Sequence, residues 1–198
     1  MRRIGNRKNS VKRKMAVAGL ALTAVLCLCA CGSGAGSVEK ETQAQEAAGG
    51  KALGDFTSET LAGEAVTQEI LEGSQLTMVN IWGTFCGPCI SEMPALGELN
   101  REYADRGFRV VGIVSDVTAA GDETAQEIVE QTGADYTHII ASEDLRSGIL
   151  RIVNAVPTTI FVDSEGKRVG EVCMGSRSKE EWAELIESKL AELEEMQE

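Results

Sequence analysis

Cys86 and Cys89, with Gly87 and Pro88 between them, are the residues of this chain best placed to do chemistry. Two sulfurs at that spacing can cycle between disulfide and dithiol, or can supply half of a zinc site. Zinc takes four ligands, and past residue 40 the chain adds only Cys173 and its single histidine, His138, without paired ligand spacing. The redox reading needs an activated, accessible sulfur and a second, shielded one that resolves the mixed disulfide formed at the first. Both are supplied by the flanks. Thr77–Trp82 (TMVNIW) is an apolar run suited to a buried strand, and Gly83-Thr84-Phe85 leads from it into Cys86. Beyond Cys89, the residues Met93, Leu96, Leu99 and Tyr103 recur with the period of a helix. Cys86 is thus expected at a strand-to-helix junction, where unpaired N–H groups and the helix dipole stabilise a thiolate. Pro88 lacks an N–H and is tolerated in a first helical turn, and Cys89 stacks one turn along from Cys86. Cys86 would attack and Cys89 resolve.

The remaining elements must frame that junction. Phe108–Val114 reads as a second core strand, and Asp122–Gly133 as a helix closed by Gly133, with Ala125, Ile128 and Val129 inward. Thr137–Ala141 is a short strand, and Glu143–Val153 is a helix or turn leading to Pro157. Thr158–Asp163 and Lys167–Met174 read as a hairpin around Ser164-Glu165-Gly166. Ser178-x-x-Glu181 is a capping box that opens a last helix, with Trp182, Leu185, Ile186, Leu190 and Leu193 inward. Residues 55–70 form a short N-terminal hairpin. Cys173 is expected to be a buried, inert thiol, His138 a structural group in an apolar strand, and Glu192–Glu198 a solvated helix end.

The chain has 198 residues and a net charge of −12, unevenly distributed. Residues 1–30 hold seven Lys/Arg and no acid, which leaves 12 basic against 31 acidic groups beyond them. A domain that acidic repels phosphate backbones, so nucleic acid is not a partner. The basic start, the apolar stretch Met15–Ala30 and the Gly/Ser run after it have the order of a secretory signal. Residues 31–54, mostly Gly, Ala, Ser, Gln and charge, read as a flexible tether, and 55–198 as one folded domain.

Two stretches resemble known families. Leu28-Cys29-Ala30-Cys31 followed by Gly-Ser-Gly resembles the lipobox of bacterial lipoproteins, in which the cysteine after a small residue is lipidated; Cys31 fits, whereas Cys27 and Cys29 each follow leucine. MVNIWGTFCGPCISEMPAL resembles the active-site segment of the exported, membrane-tethered TlpA/ResA-type thiol–disulfide oxidoreductases. Val156-Pro157-Thr158-Thr159 is similar to that family's cis-proline loop. The resemblance implies an α/β, thioredoxin-like fold: a mixed central sheet flanked by helices, with an extra N-terminal hairpin and a central helix–strand insert at 122–141. It implies catalytic roles for Cys86, Cys89, Glu92 and Pro157, and substrate contacts at Trp82, Phe85, Gly87, Pro88 and Val156. The redox-active group is then the Cys86–Cys89 disulfide itself, with no separate cofactor. Glu92 matches the family's buried glutamate and lies on the inward face of the helix, where burial would raise its pKa. Asn80 stands where cytoplasmic thioredoxins carry an aspartate, and Phe85 replaces a tryptophan. The implied setting is a lipid-anchored domain outside the cytoplasmic membrane that reduces protein disulfides. Its electrons would come from a CcdA/DsbD-like membrane thiol transporter, and its substrates would include an apocytochrome c or a methionine sulfoxide reductase. Two rivals stay open: a metal- or haem-handling lipoprotein using the cysteine pair as ligands, and a thiol peroxidase. The second is poorly matched, because Thr84 is two residues before Cys86 and no proline precedes it.

Overall fold

The computed structural model describes residues 50–195; the proposed signal segment and Cys31 lie outside them. Strand β3, Leu76–Trp82, is buried along its whole length. It runs parallel to β4, Phe108–Val114, and antiparallel to β6, Thr158–Asp163. With β5, Thr137–Ile140, and β7, Cys173–Met174, the order is β5-β4-β3-β6-β7. This is the mixed sheet of a thioredoxin-like fold. A central strand covered on both faces cannot alternate apolar with polar, which is why its sequence is a continuous apolar run.

One sheet face carries Met78, Trp82, Val110, Val114 and Phe161. It is covered by α1, Gly87–Glu102, and α4, Lys179–Glu195, through Met93, Leu96, Trp182, Ile186 and Leu190. The other face carries Val79, Ile81, Val111, Ile113 and Ile160, under α3, Glu143–Ser147, the 3₁₀ turn after it and the N-terminal segment. Helix α2, Glu123–Thr132, begins at Asp122, whose carboxylate accepts from the Ala125 N–H at 2.8 Å, and ends at Gly133. The expected N-terminal hairpin is β1, Thr57–Glu59, paired with β2, Ala65–Thr67. It binds the β5 edge through Leu61 N–H to His138 O and Ser58 Oγ to Ile140 O, both 3.0 Å, and so shields an edge strand.

Two expectations about extent are corrected. The tether expected over residues 31–54 stops short of that bound: Ala52 N–H donates to Gly166 O at 2.7 Å and Leu53 is buried beside Phe56 and Leu71. Leucine at 53 gives the segment enough apolar surface to fold onto the domain. The second hairpin arm, expected over 167–174, pairs as a strand only at Cys173–Met174, with an isolated bridge from Arg168 to Val162. Gly170 takes a left-handed conformation (φ +74°) and turns the chain out of register. The buried Lys189 ammonium fills the space beside it, donating to Val169 O at 3.0 Å and lying 5.1 Å from the Phe161 ring.

Register aligns one row across all five strands: Cys173, Thr159, Asn80, Gly112 and His138. Registered residues project from the same face, here the face under α1.

Candidate active site

Helix α1 follows β3 after four residues, Gly83 to Cys86. Ser115 holds the end of β3, its N–H and hydroxyl both donating to Trp82 O at 2.8 Å. Asp116 holds the loop by accepting from the Thr84 N–H at 3.1 Å and from its hydroxyl. Cys86 is the N-cap of α1, and its Sγ accepts from the Cys89 N–H at 3.2 Å. No acidic residue stands in the first turn of α1 to offset its positive end at that sulfur. Cys86 and Cys89 form a disulfide with Cα atoms 5.3 Å apart. Cys86 is 6% exposed and Cys89 fully buried, while Gly87 and Pro88 between them are exposed.

Phe85 is 73% exposed and lines a cleft of about 530 Å³ with Ser115, Arg146, Leu150, Val153 and Val156. The cleft therefore joins the residue before Cys86 to the residue before Pro157. The Val156–Pro157 peptide is cis. Its loop is held by Thr158 Oγ1 to Ala155 O at 2.7 Å and by Gly175 N–H to Pro157 O at 2.9 Å. Trp82 departs from its expected role. It is fully buried and its indole N–H donates to His138 Nδ1 at 3.1 Å, so it has no surface to offer a substrate.

Glu92 is 4% exposed on the inner face of α1. Its Oε1 accepts from Asn80 Nδ2 at 3.1 Å; its Oε2 accepts from Trp182 Nε1 at 3.1 Å and from the Arg177 N–H at 3.2 Å. Burial pushes its pKa above the usual carboxylate value even though these three donors and the Arg177 charge favour the anion. The sequence placed Glu92 on this face but did not show its cradle: Trp182 is 90 residues away, and Asn80 belongs to another element. Asp116 was missed as well, since it lies in a loop with no local pattern pointing to Thr84.

Cys173 and His138 stand at opposite edges of the sheet, four strand spacings or ~19 Å apart, and so cannot share one ion. Cys173 is a buried free thiol.

The Redoxin family profile matches residues 47–171 of this chain. The chain belongs to the redoxin family. Within that family it is a ResA-like thiol–disulfide oxidoreductase. The thiol-disulfide oxidoreductase ResA of Halalkalibacterium halodurans is 30% identical over 142 residues, which cover 71% of this chain and 78% of that protein. The thioredoxin-like protein YneN of Bacillus subtilis is 26% identical over 174 residues, 88% of this chain and 98% of YneN. Among solved structures, a thiol:disulfide interchange protein of the thioredoxin family from Chlorobium tepidum superposes with a TM-score of 0.58 at 26% identity. That alignment covers 69% of this chain and 93% of the other. The redoxin match spans both the Cys86–Cys89 pair and the Pro157 loop.

Proposed function

We propose that this redoxin is a reductase of protein disulfides, tethered outside the cytoplasmic membrane through a lipidated Cys31. The carrying observation is the Cys86 sulfur at the helix N-terminus, receiving an N–H from Cys89 and flanked by the Phe85–Val156 cleft. In the dithiol form the Cys86 thiolate attacks one sulfur of a substrate disulfide, and the other sulfur leaves as a thiolate. Cys89 then attacks the Cys86 sulfur of the mixed disulfide. This re-forms the Cys86–Cys89 bond, releases the second substrate thiolate and passes two electrons to the substrate. Glu92 takes the Cys89 proton, and the backbone at Val156–Pro157 aligns the substrate chain beside the disulfide. Phe85, Gly87 and Pro88 supply the contact surface. A membrane thiol transporter of the CcdA/DsbD kind returns the electrons, and an exported disulfide protein such as an apocytochrome c or a methionine sulfoxide reductase receives them. The ResA likeness supports this setting, as does the lipobox-like run ending at Cys31. Among the described residues no helix is long and apolar enough to cross a membrane.

The test is a pair of variants. Cys86→Ser should abolish insulin reduction, while Cys89→Ser should accumulate mixed disulfides with its partners. Wild-type turnover in Cys86→Ser would overturn the assignment. Intact mass of the membrane-extracted protein should show an N-terminal diacylated Cys31, and an unmodified N-terminus would refute the anchor.

A further inference from the structure

Asn80 sits at the centre of the row that crosses the sheet and is fully buried. Both hydrogens of its amide are used: Nδ2 donates to Glu92 Oε1 and to Thr159 Oγ1, each at 3.1 Å. Its Oδ1 has no partner among the described residues, although it too is buried. A buried acceptor left unpaired is destabilising, because it has lost its water and gained no donor, so an orphan beside an ionisable group is a feature to explain.

The two oxygens of Glu92 are not equivalent. Trp182 Nε1 and the Arg177 N–H both point at Oε2, and neither can accept a hydrogen bond. A proton on Oε2 would face two donors. The proton of the neutral acid therefore belongs on Oε1, where it needs an acceptor. The group in contact with Oε1 is the Asn80 amide, and its acceptor atom is the one turned away.

We propose that Asn80 is a positioning residue that turns over with the charge of Glu92. With the carboxylate, Nδ2 donates to Oε1; with the acid, a half-turn about χ2 brings Oδ1 round to accept the Oε1 proton. Thr159 serves both orientations, because its hydroxyl can accept from Nδ2 or donate to Oδ1. Each orientation leaves one side of the amide unpaired, the oxygen in the first and the NH2 group in the second. The turn thus exchanges one unpaired side for another and keeps Glu92 hydrogen-bonded in both states. The only bond made or broken is the Glu92 O–H. The ionisable groups around the pair are Arg177 from the segment before α4, Cys89 one turn earlier on α1, and Tyr136 just before β5. Burial first, and then the Glu92 charge, raises the Tyr136 pKa and keeps that hydroxyl neutral. Cys173 and His138 complete the row at its two edges.

The inference rests on Glu92 as the proton mediator, but its test does not depend on turnover. In the isotope-labelled protein, the Glu92 carboxyl carbon and the Asn80 side-chain N–H signals are followed by NMR from about pH 4 to about pH 9. The Asn80 signals should move with the Glu92 midpoint, and the contact between the Asn80 Nδ2 hydrogens and Thr159 should be lost below it. Glu92→Gln gives an independent reading. The two donors that face Oε2 force the oxygen of the substituted amide into that position, so its nitrogen faces Asn80, and Asn80 should be turned at every pH. Persistence of the Nδ2–Thr159 contact across the titration and in Glu92→Gln would overturn the inference while leaving the proton role of Glu92 intact. A wild-type Glu92 that does not titrate over this range would overturn the charge-linked turn and the proton role together.

Discussion

His138 and Glu92 are buried to nearly the same degree, 5% and 4% exposed, His138 on the sheet face under α1 and Glu92 on α1 itself, against Asn80 of that face. Their surroundings differ in kind. His138 Nδ1 accepts from Trp82 Nε1 at 3.1 Å, and its other ring nitrogen lies 3.0 Å from Ala134 O, which fixes the neutral tautomer with the hydrogen on Nε2. A proton on Nδ1 would oppose the indole N–H. Burial lowers the His138 pKa to about 4, and nothing in its neighbourhood serves the charged form at Nδ1. Glu92 has three donors for its anion and, at Oε1, an amide that carries an idle acceptor. Burial perturbs both groups. What separates a structural group from a proton carrier is whether its neighbours can serve both protonation states.

The largest effect that could break this comparison is on rate. Glu92→Gln keeps size and hydrogen bonding but removes the titration, and disulfide exchange near neutral pH should slow about 10²–10⁴-fold. Alkylation rates of the reduced protein across pH would show the change directly. Wild-type rates with a superimposable profile would make Glu92 as structural as His138.

Much of this contrast was legible in local pattern and some was not. The continuous apolar run of β3, the Asp122 and Gly133 caps of α2 and the inward phase of Glu92 all follow from residues within a few positions of one another. His138 was readable as structural from its place in an apolar strand. The Glu92 cradle was not, because its donors come from β3, the segment before α4 and α4 itself, brought together only by packing. Trp82 was misplaced for a related reason. In a strand buried on both faces, no alternation marks which residues reach the surface, and Trp82 is spent on His138. The shortened hairpin arm needed knowledge of Lys189, 20 residues from the carbonyl it binds.

A smaller effect appears in stability against pH. The His138 pKa is 6.5 unperturbed and about 4 in the fold. Its contribution is therefore complete above 6.5 and is lost as pH falls toward 4, at about 1.4 kcal/mol per pH unit, or about 3 kcal/mol in all. Glu92 runs the other way. Its folded pKa is raised above 4.5, so its contribution is complete below that value and is lost as pH rises through the folded pKa. His138→Gln should flatten the acid limb between pH 6.5 and 4 in urea unfolding, whereas Glu92→Gln should flatten the opposing loss that sets in as pH rises above 4.5. An unchanged acid limb in His138→Gln would assign the acid sensitivity elsewhere.

The smallest effect tests whether the two halves of the row are independent. Gly112 lies between Asn80 and His138 in register, and it has no side chain because the ring occupies that space. A methyl group there would fall on His138 Nδ1, 2.9 Å from Cε1 and 3.1 Å from Trp82 Nε1. Overpacking of this kind costs about 1–3 kcal/mol. Gly112→Ala should therefore lower the urea midpoint and loosen the Trp82–His138 pair, which tryptophan fluorescence would report. Asn80 reaches Glu92 and Thr159 on the side away from β5, so the thiol pH profile should keep its wild-type shape. If Gly112→Ala instead shifts that profile as Glu92→Gln does, the strain has crossed Asn80. The histidine and the glutamate would then belong to one coupled network, and their different surroundings would no longer account for their different roles.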